Sequence, residues 1–327
     1  MGTLGGSARL GWVDLGRQEL VAGVEGGAWV EAWCQQRLGA EPVQELFRAG
    51  HLSLVVGLRL ADQRRVVVKA RPAAKRLAGC VAVQRALALA GFPCPRPLAG
   101  QQRLGGLLVT AEELVAGGQQ LADQTDAAGL FAGLLAELVR LAPPPWAVPP
   151  LAPSPPWVGW DRQAAGLWPE ADDLAADLNR HQGPDWLDQT AARARERLAG
   201  LRLAAVVGHG DWESQNVRWR GRRALVVHDW DSVVAQPEAA IAGQAAAVWP
   251  AAGGPGQTAS IEQTEQFLAA YAQARGRPWT RTERQAAWAA GLWVRCFNAK
   301  KDAVLGGGPQ LDRLASEVAA RAHNAGI

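Results

Sequence analysis

The chain has 327 residues, more than a typical single domain and enough for two lobes. Hydrophobic residues make up 48% of it, ample for a core, yet no uninterrupted apolar run is long enough to span a bilayer. With 34 basic and 31 acidic residues the net charge is +3, too balanced to point to nucleic acid as a partner.

The N-terminus, MGTLGGSARLGW, lacks a basic segment followed by an apolar one, so no secretory signal is expected. Cys34, Cys80, Cys94 and Cys296 lie far apart without a C-x-x-C pair. They read as thiols of a reducing, cytoplasmic compartment, with neither a disulfide framework nor a zinc site implied. Trp29, Val30, Trp33 and Cys34 have helical spacing and predict a helix over 28–38, ended by Gly39. Three strand-like runs follow at 43–48, 52–60 and 65–70, separated by short turns at 49–51 and 61–64. Lys69 follows the valine run Val66, Val67, Val68. From Gln63 to Ala111 there is no acidic residue, while Arg64, Arg65, Lys69, Arg71, Lys75 and Arg76 are among the basic ones, a distribution that suits a polyanionic ligand.

A helix from about Lys75 to Ala90 is ended by Gly91-Phe92-Pro93-Cys94-Pro95-Arg96-Pro97. Residues 107–110 read as a strand entering a connector at 111–118, and the lobe boundary is set near Gly117-Gly118, giving parts 1–117 and 118–327. Residues 126–141 have helical periodicity. Eight of the twenty prolines then fall between Pro143 and Pro156, in a segment that also holds Trp146 and Trp157. It reads as a rigid crossover strapped down by its tryptophans, with a polyproline ligand as the alternative. Between Asp161 and Asp188 the charge reverses, seven acids against Arg162 and Arg180, which suits a cationic partner or a solvated face. Helices are predicted at 261–275, 282–297 and 311–322, the middle one with capping-box spacing at Thr280–Glu283.

The most informative segment is HGDWESQNVRWRGRRALVVHDWD, from His209 to Asp231. Two short strands joined by a turn at Gly221 and Arg222 would bring Asn216 and Asp229 side by side at the open end, with Asp211 in the loop before. A carboxylate and an amide oxygen in that arrangement suit Mg²⁺ carrying nucleotide phosphates.

H-G-D-x-x-x-x-N followed by a strand ending in D-W resembles the catalytic loop and metal-binding aspartate of the aminoglycoside phosphotransferase family, small-molecule kinases related in fold to the protein kinases. The helix followed by G-x-P-x-P-R-P is a second resemblance to the same family. The resemblance implies an α+β, bilobal protein-kinase-like fold, with a small β-rich N-lobe carrying one main helix and a larger, mainly helical C-lobe. It implies a phosphotransferase using ATP or GTP with Mg²⁺, whose partner is a small-molecule hydroxyl substrate such as an aminoglycoside, another amino sugar or a metabolite. Carried over residue by residue, Asp211 would accept or orient the proton of the attacking hydroxyl, Asn216 and Asp229 would hold the metal, and His209 would brace the loop. Lys69 would contact the inner phosphates, the turn at 50–53 with Ser53 would cover them, and Glu113 would line the nucleotide side of the connector. Trp212, Glu213, Asp231 and Trp293 are the candidates to face the acceptor.

The chain departs from the family at one point. Relatives carry a glutamate on the first-lobe helix that pairs with the lysine, and the matching position here is Cys80. Gln84, one turn further along that face, offers only a neutral hydrogen bond. Two alternatives therefore stand beside the kinase: a nucleotide-binding pseudokinase without turnover, and an interaction protein working through the Pro/Trp segment. A protein kinase fits poorly, because WDSVVAQPEAA after Asp229 leaves no length for an activation segment.

Overall fold

The computed structural model describes residues 28–49, 53–121, 126–254 and 256–327. It begins with helix α1 (Ala28–Leu38) and strands β1 (Pro42–Ala49), β2 (Leu54–Leu60) and β3 (Arg65–Pro72), continues through α2 (Leu77–Leu89), and ends its first part with β4 (Pro97–Leu104) and β5 (Leu107–Glu113). The five strands form one antiparallel sheet in the order β1-β2-β3-β5-β4. Within this sheet two details differ from the expectation. Residues 97–104 form a strand that was not anticipated, because Pro-Leu-Ala-Gly-Gln-Gln-Arg-Leu has no β-branched alternation and is held at the sheet edge by the Gly105-Gly106 hairpin. The strand expected to stop at residue 110 runs on through Glu113, so residues 111–113 are sheet and not connector.

Alternation along the strands gives this sheet two unlike faces. Val66, Val68 and Ala70 of β3, with Val109 and Ala111 of β5, pack against Val30, Trp33 and Cys34 of α1 in a core of their own. The intervening residues Lys69, Arg71, Thr110 and Glu112 point to the opposite side, where α2 lies. Helix α2 buries Cys80, Val83 and Leu87 in the other, larger core, so it bridges the two halves of the molecule.

That larger core is helical. It is built on α3 (Ala127–Leu141), α4 (Asp185–Ala199), α5 (Glu238–Val248), α6 (Ile261–Ala274), α7 (Arg281–Val304) and α8 (Pro309–Ala325). Two ladders are set into it: β6 (Ala205–His209) with β9 (Val233–Pro237), and the hairpin of β7 (Val217–Arg220) and β8 (Arg223–Val227). The capping box expected at the start of α7 is present, with Thr280 Oγ1 accepting from the Glu283 N–H and Glu283 Oε2 accepting from the Thr280 N–H. Helix α5 escaped the sequence reading because every residue from Ala239 to Val248 is buried, leaving no polar face to mark a period.

Helices α5 and α7 meet backbone to backbone at Gly243 and Gly291. A Cβ on Gly243 would lie 1.9 Å from the Ala287 carbonyl oxygen. No side chain there can yield, so Gly243→Ala is expected to cost roughly 1–3 kcal/mol or more of stability. An unchanged thermal midpoint would refute that close approach.

The proline-rich segment is a strap. It carries two short 3₁₀ turns, Pro145–Ala147 and Pro156–Asp161, and buries Val158 and Trp160. Trp157 Nε1 donates to the Gly210 carbonyl at 2.8 Å, beside Asp211. Trp146 alone of its tryptophans stands in solvent, 85% exposed. Among the described residues no helix is long and apolar enough to cross a membrane, and all four cysteines are free thiols.

Candidate active site

The two ladders decide where the HGD and DW segments go. β6 pairs His209 with Val233, and the hairpin pairs Val217 with Val227. The loops 210–216 and 228–232 therefore emerge together, and the His228 N–H donates to the Asn216 carbonyl at 2.7 Å. The turn between β7 and β8 falls at Gly221-Arg222, with Gly221 in the left-handed region at φ +59.

His209 clasps both loops. The Asp211 N–H donates to its Nδ1 at 3.2 Å, so Nε2 carries the ring proton and donates to the His228 carbonyl at 3.1 Å. Trp212 and Trp230 flank the imidazole edge-on at 5.6 and 5.7 Å. Burial drives the His209 pKa below its ordinary value, outweighing the pull of Asp229, so the ring stays neutral and braces the loop.

Asn216 Nδ2 donates to Asp211 Oδ2 at 2.7 Å and to the Asp211 carbonyl at 3.0 Å, which turns the amide oxygen of Asn216 outward. Asp229 sits in the left-handed region (φ 61, ψ 51) with Oδ2 accepting from Ser232 Oγ at 2.7 Å. Asp and Asn tolerate that backbone better than other residues bearing a Cβ, and the strain falls at the site. Burial first, then the charges of Glu213 and Asp229, hold the Asp211 carboxyl well above the usual carboxylate range. Further stitching comes from the N–H groups of Ser214 and Gln215, which donate to the carbonyls of Trp249 and Ala251.

Across the cleft, Lys69 is paired, which corrects the expectation that its acidic partner is missing. Its Nζ lies 3.0 Å from Glu112 Oε1, and Gln84 Nε2 holds the other carboxylate oxygen at 2.8 Å. Burial pushes the Lys69 pKa down, but Glu112, with Asp231 and Asp229 further away, outweighs it and leaves the amine above its ordinary value. The partner stands on β5 instead of the helix. Glu112 is the first carboxylate after the acid-free stretch, but only the strand register reveals that it reaches Lys69.

The remaining candidates divide. The carboxylate of Asp231 pairs with Arg71 of β3, and Arg76 donates to the carbonyls of Asp231 and Val233. Asp231 thus ties the 228–232 loop to the sheet, its carboxylate engaged by Arg71; Arg71 and Arg76 were not foreseen. Trp293 is fully buried against Trp168 at 5.6 Å, and Trp212 is buried with Nε1 donating to the Phe131 carbonyl. Both belong to the core, Trp293 as part of the aromatic stripe along α7 and Trp212 from the loop after β6. Glu113 pairs with Arg96 at the surface. Ser53 begins the described chain before β2; Gly50, His51 and Leu52 of the same turn lie outside the described residues.

Glu213, unlike the buried Trp212 and Trp293, opens onto space. It lines a cavity of about 680 Å³ with Gln215, Asp173, Asn298, Lys301 and Asp302. Lys301 Nζ meets Asp173 Oδ2 at 2.7 Å, and Asp302 caps the start of α8 through the N–H groups of Gln310 and Leu311. Asp172 lies close enough to raise the Asp211 pKa. Of the acidic stretch, then, only Asp172 and Asp173 come to the site. Asp161 binds Ser154 and Gln236, Asp177 pairs with Arg180, and Asp188 holds Lys300.

A profile of the phosphotransferase enzyme family matches residues 43–286, which takes in nearly all of the sheet, Lys69 and the loops 210–216 and 228–232. The chain belongs to the phosphotransferase enzyme family. No curated protein sequence matches it. Solved structures share the fold of this phosphotransferase at low identity. Amicoumacin kinase in complex with AMP-PNP, Ca²⁺ and Ami is 12% identical, covers 93% of this chain and 96% of its own, and superimposes with a TM-score of 0.62. Spectinomycin phosphotransferase in complex with ADP and spectinomycin is also 12% identical, with 88% and 92% covered and a TM-score of 0.55. A choline/ethanolamine kinase family protein from Mesorhizobium loti is 16% identical, with 91% and 90% covered and a TM-score of 0.52. The phosphotransferase therefore has the bilobal, protein-kinase-like α+β architecture that its motifs imply.

Proposed function

We propose that this phosphotransferase moves the terminal phosphoryl group of ATP, or GTP, to a hydroxyl of a small polar molecule that carries a cationic group. The observation that carries the reading is the convergence of Asp211, Asn216 and Asp229 from two ladders, with Lys69 held by Glu112 on the sheet facing them. Catalysis in this chemistry is mostly positioning and charge neutralisation.

The donor set fits Mg²⁺. Asn216 offers its amide oxygen, Asp229 offers the carboxylate oxygen that Ser232 does not engage, and both are hard ligands. Among the described residues no three His, Cys, Asp or Glu side chains converge as a metal cage, so an ion held by Asn216 and Asp229 would rely on phosphates and water for its remaining oxygen ligands. When bound it neutralises phosphate charge. Lys69 steadies the inner phosphates, and Asp211 sets the incoming hydroxyl in line and takes up its proton. The cavity beside Glu213 supports a cationic acceptor, because its carboxylates Asp173, Glu213 and Asp302 outnumber its one lysine. The missing helix acid was the only ground for a protein without turnover, and Glu112 supplies that charge from the sheet. After Asp229 the chain passes through one turn into β9 and α5, which leaves no activation segment for a protein kinase.

The test is ATP consumption by the purified protein against a panel of amino sugars, neutral sugars, amino alcohols and macrolides. Turnover with a cationic member is the expected result. Tight Mg·ATP binding with no turnover on any of them would favour a nucleotide-binding protein without activity.

The carboxylate neighbours also predict a pH effect. Burial raises the Glu213 pKa to about 7, and Glu213 in turn raises that of Asp211. Glu213→Gln removes a negative neighbour, so Asp211 ionises at lower pH and the acidic limb of the pH–rate profile should move to lower pH. A shift toward higher pH would contradict this coupling.

A further inference from the structure

Cys80 stands on α2 where the family's relatives carry the lysine's glutamate, and its thiol lies 3.6 Å from the Asp231 carbonyl. The charge that reaches Lys69 is built differently. Lys69 lies opposite Thr110 in the β3–β5 register, so Glu112 is its diagonal neighbour two residues along the same face. Their side chains are only 12% and 9% exposed, which makes the pair far less screened than one in open solvent. Gln84 Nε2 donates to the Pro95 carbonyl at 2.9 Å and to Glu112 Oε2 at 2.8 Å. Both amide hydrogens are thereby engaged, and the second fixes the carboxylate with Oε1 toward Lys69.

We propose that Glu112 is the positioning residue for Lys69 and that Gln84 acts through Glu112, so that the lysine is set for nucleotide phosphates by the sheet itself. This rests on the kinase reading above and extends it to the residues that set nucleotide affinity. A helix-borne carboxylate loses the lysine when its helix moves. Here both charges stand on adjacent, hydrogen-bonded strands, and the helix contributes only a neutral brace. The site is then assembled whether or not α2 shifts.

The experiment titrates the full-length protein with Mg·ATP and, separately, with adenosine, which has no phosphates for Lys69 to hold. Glu112→Gln is expected to raise the Kd for Mg·ATP about 10–100-fold through misplacement of the lysine, with the Kd for adenosine unchanged. Gln84→Met should raise the Mg·ATP Kd about 2–10-fold, the usual worth of one hydrogen bond. Because Gln84 works through Glu112, the double variant should be no weaker than Glu112→Gln alone. An unchanged Mg·ATP Kd in Glu112→Gln, an equal loss for adenosine, or additive losses in the double variant would each overturn the proposal. If Glu112→Gln does not fold, Gln84→Met decides: an unchanged Mg·ATP Kd overturns the proposal, and a selective rise supports it. A parent protein that binds neither ligand would instead bring down the kinase reading, and this proposal with it.

Discussion

Replacing Asp211 by asparagine is expected to cut turnover by roughly 10²–10⁴ while leaving Mg·ATP affinity unchanged. The side chains are nearly isosteric, and Asn216 Nδ2 still finds an oxygen to donate to, so the loop keeps its shape. What is lost is a proton acceptor. Burial and the nearby charges of Glu213 and Asp229 make this carboxylate a stronger base than a solvated one, closer to the pH at which it would work. The same change should stabilise the fold at neutral pH. In the unfolded chain Asp211 ionises near its ordinary value of 3.8, whereas in the folded protein the proton is held to higher pH. Ionisation therefore costs the folded state stability, beginning as pH rises through the unfolded value and reaching its full extent above the folded one. Asp211→Asn removes that cost, so its thermal midpoint should exceed the parent's near pH 7 and converge with it at acid pH. Single-turnover rates within a few-fold of the parent would remove Asp211 from the chemistry, and a lower midpoint at pH 7 would contradict the buried-charge account.

How much of this was legible in the sequence depended on whether the information was local. Asn216 and Asp229 flank the two ends of one hairpin turned at Gly221-Arg222, and the HGD loop leads straight into it, so spacing along the chain indicated their spatial relation. Helix α1 and the α7 capping box were equally local, set by a stop glycine and by the Thr280/Glu283 pair. The Lys69–Glu112 pair was not. It spans two strands separated in sequence by a helix and an edge strand, and composition gives no sign of that register. Arg71 and Arg76 were hidden for the same reason, because their partners lie in the loop after Asp229. Helix α5 shows a different limit, since a helix buried all round carries no period to detect. The tryptophans misled in one direction only. Trp212 and Trp293 are polar enough at one edge to be imagined at an acceptor site, but their area is worth more in the core, where both are buried.

The other large effect expected is at Asp229. Asp229→Asn should weaken Mg²⁺-dependent ATP binding by at least about 100-fold, because substitutions merely next to a metal ligand already cost 10–100-fold. Asparagine is the informative choice here. It tolerates the left-handed backbone at φ 61 that alanine would strain, so the loop is not reshaped along with the charge. Its amide oxygen can accept from Ser232 Oγ as the carboxylate does, which turns the NH₂ group, a donor, toward the place proposed for the cation. Charge and ligand are thus removed together while the fold around them is kept, and the thermal midpoint without ligand should change little. Binding of ATP without Mg²⁺ separates the two sources of affinity. If Asp229 acts only through the metal, the variant and the parent bind metal-free ATP equally, through Lys69 and the cleft walls. Should Mg·ATP affinity also survive the change, the cation would have to be held elsewhere, and the arrangement of Asn216 and Asp229 at the open end of the hairpin would be a structural corner and not a metal site.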